Sequence, residues 1–205
     1  MLVNRDKRTQ RGITIVELVI ALALLGAIIA LAAPNLQRFM QNSRTSSDAS
    51  RFLRDLQFAR GRAVSLGTTV SICRYDLTSN SCDGTTNCNC GAGTSTTVYE
   101  EGYIIFSNAD ADNTFEPGSG EVLLRVGPPA SQDTTIRGST SGNLRLSFNP
   151  QGMLHQQDQP QTAHVVCKDN SVSEANACRV IQTQSAGRSG MIKITSGSVN
   201  PDNYD

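Results

Sequence analysis

The chain has no tryptophan, and aromatic residues make up only 5% of its 205 residues. A hydrophobic core must therefore rest on Val, Ile, Leu and a few Phe. Histidine occurs twice, at His155 and His164, too few and too scattered for a catalytic or metal-ligating set. No Ser-His-Asp or Cys-His arrangement and no glycine-rich phosphate loop can be read from the residue order. No enzyme activity and no cofactor is expected. Net charge is lacking too, since 18 Lys and Arg balance 18 Asp and Glu. The strongly basic balance that marks general polyanion binding is absent.

What is present is unevenly distributed. Residues 1–12 hold Arg5, Lys7, Arg8 and Arg11 against Asp6, a net of +3, so the remainder carries −3. Ile13 to Ala33 is a run of 21 residues with no charge except Glu17. As a helix it is about 31 Å long, enough to cross a hydrocarbon core. The basic residues before it predict a cytoplasmic N-terminus and a translocated remainder. A secretory signal would need a shorter apolar region with a small-x-small site at its far end, which Ala30 and Ala32 imitate only weakly. A plain signal anchor gives no reason for Glu17, a carboxylate that is costly inside a membrane and therefore functional by default.

Arg11-Gly12-Ile13-Thr14-Ile15-Val16-Glu17-Leu18-Val19-Ile20 resembles the class III signal of type IV prepilins. That signal has a basic leader ending in Gly, an apolar first mature residue, and Glu at the fifth mature position. The resemblance implies that a membrane-embedded prepilin peptidase cuts between Gly12 and Ile13 and methylates the new amine of Ile13. Family members usually carry Phe at that first position, so Ile13 is a departure. In a filament the packed helices exclude water, and Glu17 then needs a partner. The α-amine of Ile13, in its own or a neighbouring subunit, is the natural one and would set the axial register.

Pro34 closes the apolar run and should kink or locally open the helix. Beyond it, Leu53, Leu56, Arg60 and Ala63 keep helical spacing, so residues 35–65 read as the amphipathic second half of one long helix. Its apolar face should pack on the globular part. The interleaved arginines read as solvated or paired with acidic neighbours. From Gly67 the signals become strands and turns. Strand candidates are Thr68–Cys73, Tyr103–Phe106, Glu121–Val126, Thr134–Ile136, Leu144–Phe148, Ala163–Cys167, Arg179–Thr183 and Met191–Thr195. Turn signals at Pro128-Pro129, Ser141-Gly142-Asn143 and Asn149-Pro150-Gln151-Gly152 separate them. The expected fold class is α+β: a long N-terminal helix, membrane-spanning in its first half, packed on an antiparallel β-rich head of one or two sheets. The expected organisation is a leader over 1–12, a membrane or filament-core half-helix over 13–33, an amphipathic half over 34–66, a head over 67–196 and a tail over 197–205.

Six cysteines, Cys73, Cys82, Cys88, Cys90, Cys167 and Cys178, all follow the apolar run. An even count beyond a membrane segment suggests disulfides in an oxidising compartment, with a mixture of buried thiols as the alternative. Fifteen pairings are open. Proximity favours Cys167–Cys178, which leaves the other four to pair among themselves in a Ser, Thr, Asn and Gly rich loop over 76–97. Cys82 with Cys88-Asn89-Cys90 lacks the usual zinc spacing and a nearby His. Asp110, Asp112, Asn113 and Glu116 could suggest a calcium loop, but the spacing is not that of an EF-hand, and an acidic turn is the better reading. No metal is expected.

Five stretches resemble, in order, the GspH/FimT family of minor pilins and pseudopilins. They are Leu56-Gln57-Phe58-Ala59-Arg60-Gly61-Arg62-Ala63-Val64 with Val70–Cys73; Glu101-Gly102-Tyr103-Ile104-Ile105-Phe106 with Asp110 and Asp112; Glu121–Val126; Leu146-Ser147-Phe148-Asn149-Pro150-Gln151-Gly152; and Gly187-Arg188 before a last strand. The resemblance implies a structural subunit that helps initiate or prime a type IV pilus or a type II secretion pseudopilus, with protein secretion the task in the second case. Its partners would be the prepilin peptidase, inner-membrane lipid before assembly, and other major and minor pilins or pseudopilins. It would cross the bacterial inner membrane once, with a periplasmic head, and then enter the filament. The alternative it implies is a FimT-like pilin that binds DNA for uptake. There a Gly-Arg-x-Arg motif supports binding; here Gly187-Arg188-Ser189-Gly190 lacks the second Arg. Arg179, Arg188 and Lys193 would have to form the patch, and strong phosphate binding needs several clustered cations.

Overall fold

The computed structural model describes residues 13–74, 88–89, 99, 102–112, 114–132, 134–138, 145–155, 161–168 and 178–193. The chain divides into two compact units, Met1–Met40 and Gln41–Asp205. Helix α1 spans Ile15–Leu66.

Within the first unit, α1 starts with a local cap. The Thr14 Oγ1 accepts from the Glu17 backbone N–H at 3.2 Å, and Glu17 stands in the first turn, where its charge complements the helix dipole. Thr14 and Glu17 thus hold the first and fourth places of a capping box. The apolar side chains that follow are exposed, from Ile15 to Leu31. This stretch is long and apolar enough to cross a membrane by length and composition. Pro34 lies inside α1, and the helix continues on both sides of it. The proline cannot donate to the carbonyl of Ala30 four residues back, yet it does not end the helix.

Among the described residues, the second unit holds the remainder of α1 and ten strands. These are β1 Val70–Arg74, β2 Cys88–Asn89, β3 Tyr103–Ser107, β4 Thr114–Phe115, β5 Leu123–Gly127, β6 Thr134–Gly138, β7 Arg145–Phe148, β8 Gln161–Lys168, β9 Cys178–Gln184 and β10 Ser189–Lys193. One four-stranded sheet has the order β5-β3-β1-β7, and the other β10-β9-β8-β6. The strand pairs are antiparallel. All eight expected strands of the sequence have counterparts here. A small ribbon, β2 with β4, was not expected; two residues are too few to show an alternation. Cys88 and Asn89 are therefore strand rather than loop, while the rest of the 76–97 segment, the leader and the 197–205 tail lie outside the described residues.

The core follows from two periodicities. On α1, Thr45, Asp48, Ala49, Phe52, Leu56, Ala59 and Ala63 are buried, a stripe at steps of three and four. Ala49, Phe52, Leu56, Ala59 and Ala63 join one cluster with Val70, Ile72, Tyr103, Ile105, Leu146 and Phe148 of the first sheet and Ile136, Val166 and Ile181 of the second. The opposite strand faces are filled separately. Cys73, Ile104 and Phe106 pack with Phe115 of β4, and Ala163, Val165 and Cys167 pack with Cys178 and Val180. Both faces of β1 and β3 are thus covered, so neither strand shows the buried-exposed alternation of a half-solvated sheet. A bulge between β3 and β5 pairs Ile105 with Arg125 and Phe106 with Leu123, which leaves Leu124 as the extra residue. It lets Leu124 and Arg125, consecutive in sequence, both address the helix side.

Candidate assembly site

Ile13 and Glu17 are exposed at the start of α1, with nothing described against their side chains. Gly12, the expected cleavage residue, lies outside the described residues.

Within the second unit, polar groups tie α1 to three other segments. Two carboxylates sit seven residues apart on the buried stripe, Asp48 and Asp55, at 2% and 4% exposure. The Asp48 Oδ2 accepts from the Ser131 N–H at 2.9 Å, and its Oδ1 lies 3.1 Å from Arg51. The Tyr103 hydroxyl donates to the Asp55 Oδ2 at 2.5 Å, and Arg125 forms an ion pair with the Asp55 Oδ1. The Arg125 guanidinium also stacks 3.9 Å from the centre of the Phe58 ring. Burial, and then the bond to Asp55, raise the pKa of the Tyr103 hydroxyl above its ordinary value. A carboxylate recurring on an otherwise apolar helix face was the available sequence signal for this network.

The third tie uses Arg60. Its Nε donates to the Gly152 carbonyl at 2.9 Å and its Nη2 to the Ala186 carbonyl at 3.2 Å. Three stretches of the family likeness, far apart in sequence, meet here: the helix around Arg60, the turn closed by Gly152, and the hairpin turn around Gly187. Gly152 and Gly187 both have φ of +74°. A Cβ on Gly187 would overlap the Gly152 carbonyl oxygen, so only glycine fits. The helix arginines were expected to be solvated or paired with acidic neighbours; Arg60 instead bonds backbone carbonyls, while Arg51 of the helix and Arg125 of β5 have acidic partners.

The acidic turn uses its carboxylates on itself. The Asp110 Oδ1 accepts from the Asp112 N–H at 3.2 Å, the Asp112 Oδ1 from the Thr114 N–H at 2.6 Å, and the Glu121 Oε2 from the Glu116 N–H at 2.7 Å. Burial, then the charges of Asp110 and Asp112, raise the Glu121 pKa, while its backbone hydrogen bonds oppose them. Among the described residues no three His, Cys, Asp or Glu gather into a metal-holding group. Asn113 lies outside the described residues.

A disulfide joins Cys167 and Cys178, which face each other across β8 and β9. Cys73 is disulfide-bonded as well. Cys82 and Cys90 lie outside the described residues, and of Cys88 only the backbone is described. The three cations that the DNA-binding alternative would need are spread along one hairpin. Arg179 and Lys193 are cross-strand partners at one end of the β9–β10 hairpin, while Arg188 stands at its turn. Five residues at about 3.3 Å each separate Lys193 from Arg188 along the strand. The Arg179 Nη1 donates to the carbonyl of Cys178 at 2.9 Å.

The family described as Type II transport protein GspH matches residues 48–187, the stretch that contains the Asp48, Asp55 and Arg60 ties. The chain belongs to this family. It is thereby a member of the type IV minor pilin and pseudopilin class. The prokaryotic N-terminal methylation motif matches residues 7–33, and with the apolar start of α1 it fits a membrane-anchored pilin. The chain is similar to the Pilin-like protein PilA1 of Thermus thermophilus, 28% identical over 148 residues, which are 71% of this chain and 80% of that protein. In fold it is similar to the crystal structure of the type IV minor pilin FimU of Pseudomonas aeruginosa. That likeness has a TM-score of 0.53 at 19% identity and covers 75% of this chain and 92% of that one. The family's fold is a structural pilin fold, and membership implies association with other pilins or pseudopilins.

Proposed function

We propose that the chain is a low-abundance subunit that helps initiate or prime assembly of a type IV pilus or type II secretion pseudopilus. The observation that carries this reading is the succession, in one chain, of a methylation motif over 7–33 and a GspH head over 48–187. Prepilin peptidase cuts between Gly12 and Ile13, and Ile13 is then methylated. Removal of the leader leaves the apolar helix in the mature protein, first held by inner-membrane lipid and then packed among other pilin helices. Once water is excluded, Glu17 takes the α-amine of Ile13 as its partner, which sets the register. A subunit that carries this carboxylate can register with a following subunit, which suits a place near the filament tip but not the terminal position, where nothing lies above it.

The test is to express the full chain with and without its prepilin peptidase and read the N-terminus by mass spectrometry. The expected result is a methylated Ile13 terminus only when the peptidase is present. Cleavage near Ala32 would make the chain an ordinary secreted β-domain and refute the reading.

A further inference from the structure

Next to the Arg60 tie lies an open groove of about 530 Å³, bounded by Gln57, Arg60, Val64, Gly187, Arg188 and Ser189. Among the described residues, its charged lining consists of the two arginines. Arg60 is held in place by the Gly152 and Ala186 carbonyls, and no described contact engages its Nη1. Arg188 is exposed, and its side chain has no described hydrogen bond or ion pair. A second groove of about 350 Å³ shares Arg188 and is lined by Gln182, Gln184, Met191 and Ile192 among others. Exposed apolar residues line both grooves: Val64 the first, Met191 and Ile192 the second.

The fold has no evident need of Arg188, since Gly187 and the backbone make the turn. We propose that Arg188, with the free face of Arg60, receives a carboxylate on an acidic, partly aliphatic segment of a neighbouring pilin or pseudopilin subunit. This inference rests on the assembly reading above. Charge selects the occupant. The charged residues among its described lining are both cations, and the guanidinium fork fits a carboxylate in two-point contact. The chain beyond residue 12 carries net −3, so contact between like heads is repulsive unless one side offers a cation. The aliphatic part of the segment lies against Val64. A duplex would need a row of cations along its backbone, and the groove offers two.

The test places a photo-crosslinking residue at Gln57 in the full chain, expressed with its assembly machinery. Mass spectrometry then reads both the N-terminus and any adduct. The expected result is a chain processed at Ile13 and joined to an Asp- or Glu-bearing head segment of a pilin-family subunit. Arg188→Glu lowers the adduct yield at least about fivefold, and reversing the partner's carboxylate to Lys restores it. A processed chain with no pilin adduct, or a yield unchanged in Arg188→Glu, overturns the inference alone. So does salt-sensitive binding of the detergent-solubilised chain to duplex DNA that is lost in Arg188→Glu. A chain left uncut at Gly12 overturns the assembly reading, and this inference with it.

Discussion

His164 gives the head a defined acid sensitivity. It sits on β8 at 4% exposure, with ring centres 5.1 Å from Phe52 and 5.4 Å from Tyr99. Among the described residues its Nδ1 has no hydrogen-bond partner. Burial among these rings pushes its pKa from 6.5 down to about 4. Between those two values the unfolded chain binds the proton and the folded chain does not. Stability therefore rises with pH across that window and is lost as pH falls through it. The whole shift corresponds to about 3 kcal/mol, of which about 2 kcal/mol is lost on going from pH 7 to pH 5. For a domain of this size that is a melting-temperature drop of roughly 4–8 °C. The assay is urea and thermal unfolding of the full chain in detergent at both pH values, followed by near-ultraviolet circular dichroism. His164→Leu cannot take the proton, so its loss between pH 7 and pH 5 should be smaller by about 2 kcal/mol. Equal pH dependence in the two proteins would refute a buried neutral His164. A variant that is merely less stable at both pH values would not reproduce the expected difference in slope.

Asp55→Ala should lower stability by about 2–3 kcal/mol in urea titrations, since it strands the buried Tyr103 hydroxyl. The loss stays at the lower end because the Arg125 side chain is 43% exposed and can be hydrated. A double-mutant cycle with Tyr103→Phe should give a coupling of about 1 kcal/mol, and strict additivity would remove the bond from the account. Gly187→Ala should cost at least about 2 kcal/mol, through a left-handed backbone and overlap with the Gly152 carbonyl. Gly190→Ala, whose Cβ would meet nothing, should change stability by no more than about 0.5 kcal/mol. Similar midpoints for the two alanine variants would refute the close packing at the Arg60 tie.

Much of this architecture is legible along the chain. Residues 13–33 are apolar almost without interruption, and a helix must satisfy its own backbone in lipid, so one local composition determines the element. The β-branched and apolar runs at Val70–Cys73, Tyr103–Phe106 and Ala163–Cys167 predict strands because that signal is local and has a short period. The helical spacing of Leu53, Leu56 and Ala63 points to a packed face, although Leu53 is only partly buried and the stripe is centred on Phe52 and Leu56. The β2–β4 ribbon stayed hidden because two residues have no period.

What the sequence by itself determined is the order and type of the main elements, together with an N-terminus resembling a prepilin signal. These depend on neighbours a few residues apart. Only the tertiary structure decided which distant groups meet. Tyr103 reaches an aspartate 48 residues away, and Arg60 reaches carbonyls 92 and 126 residues away. The β3–β5 bulge turns Arg125 toward Asp55, and the hairpin register parts Arg188 from Arg179. Each depends on how two sheets close over one helix. No local period records that closure, because hydrogen bonds and close packing are satisfied by partners that chain order does not name.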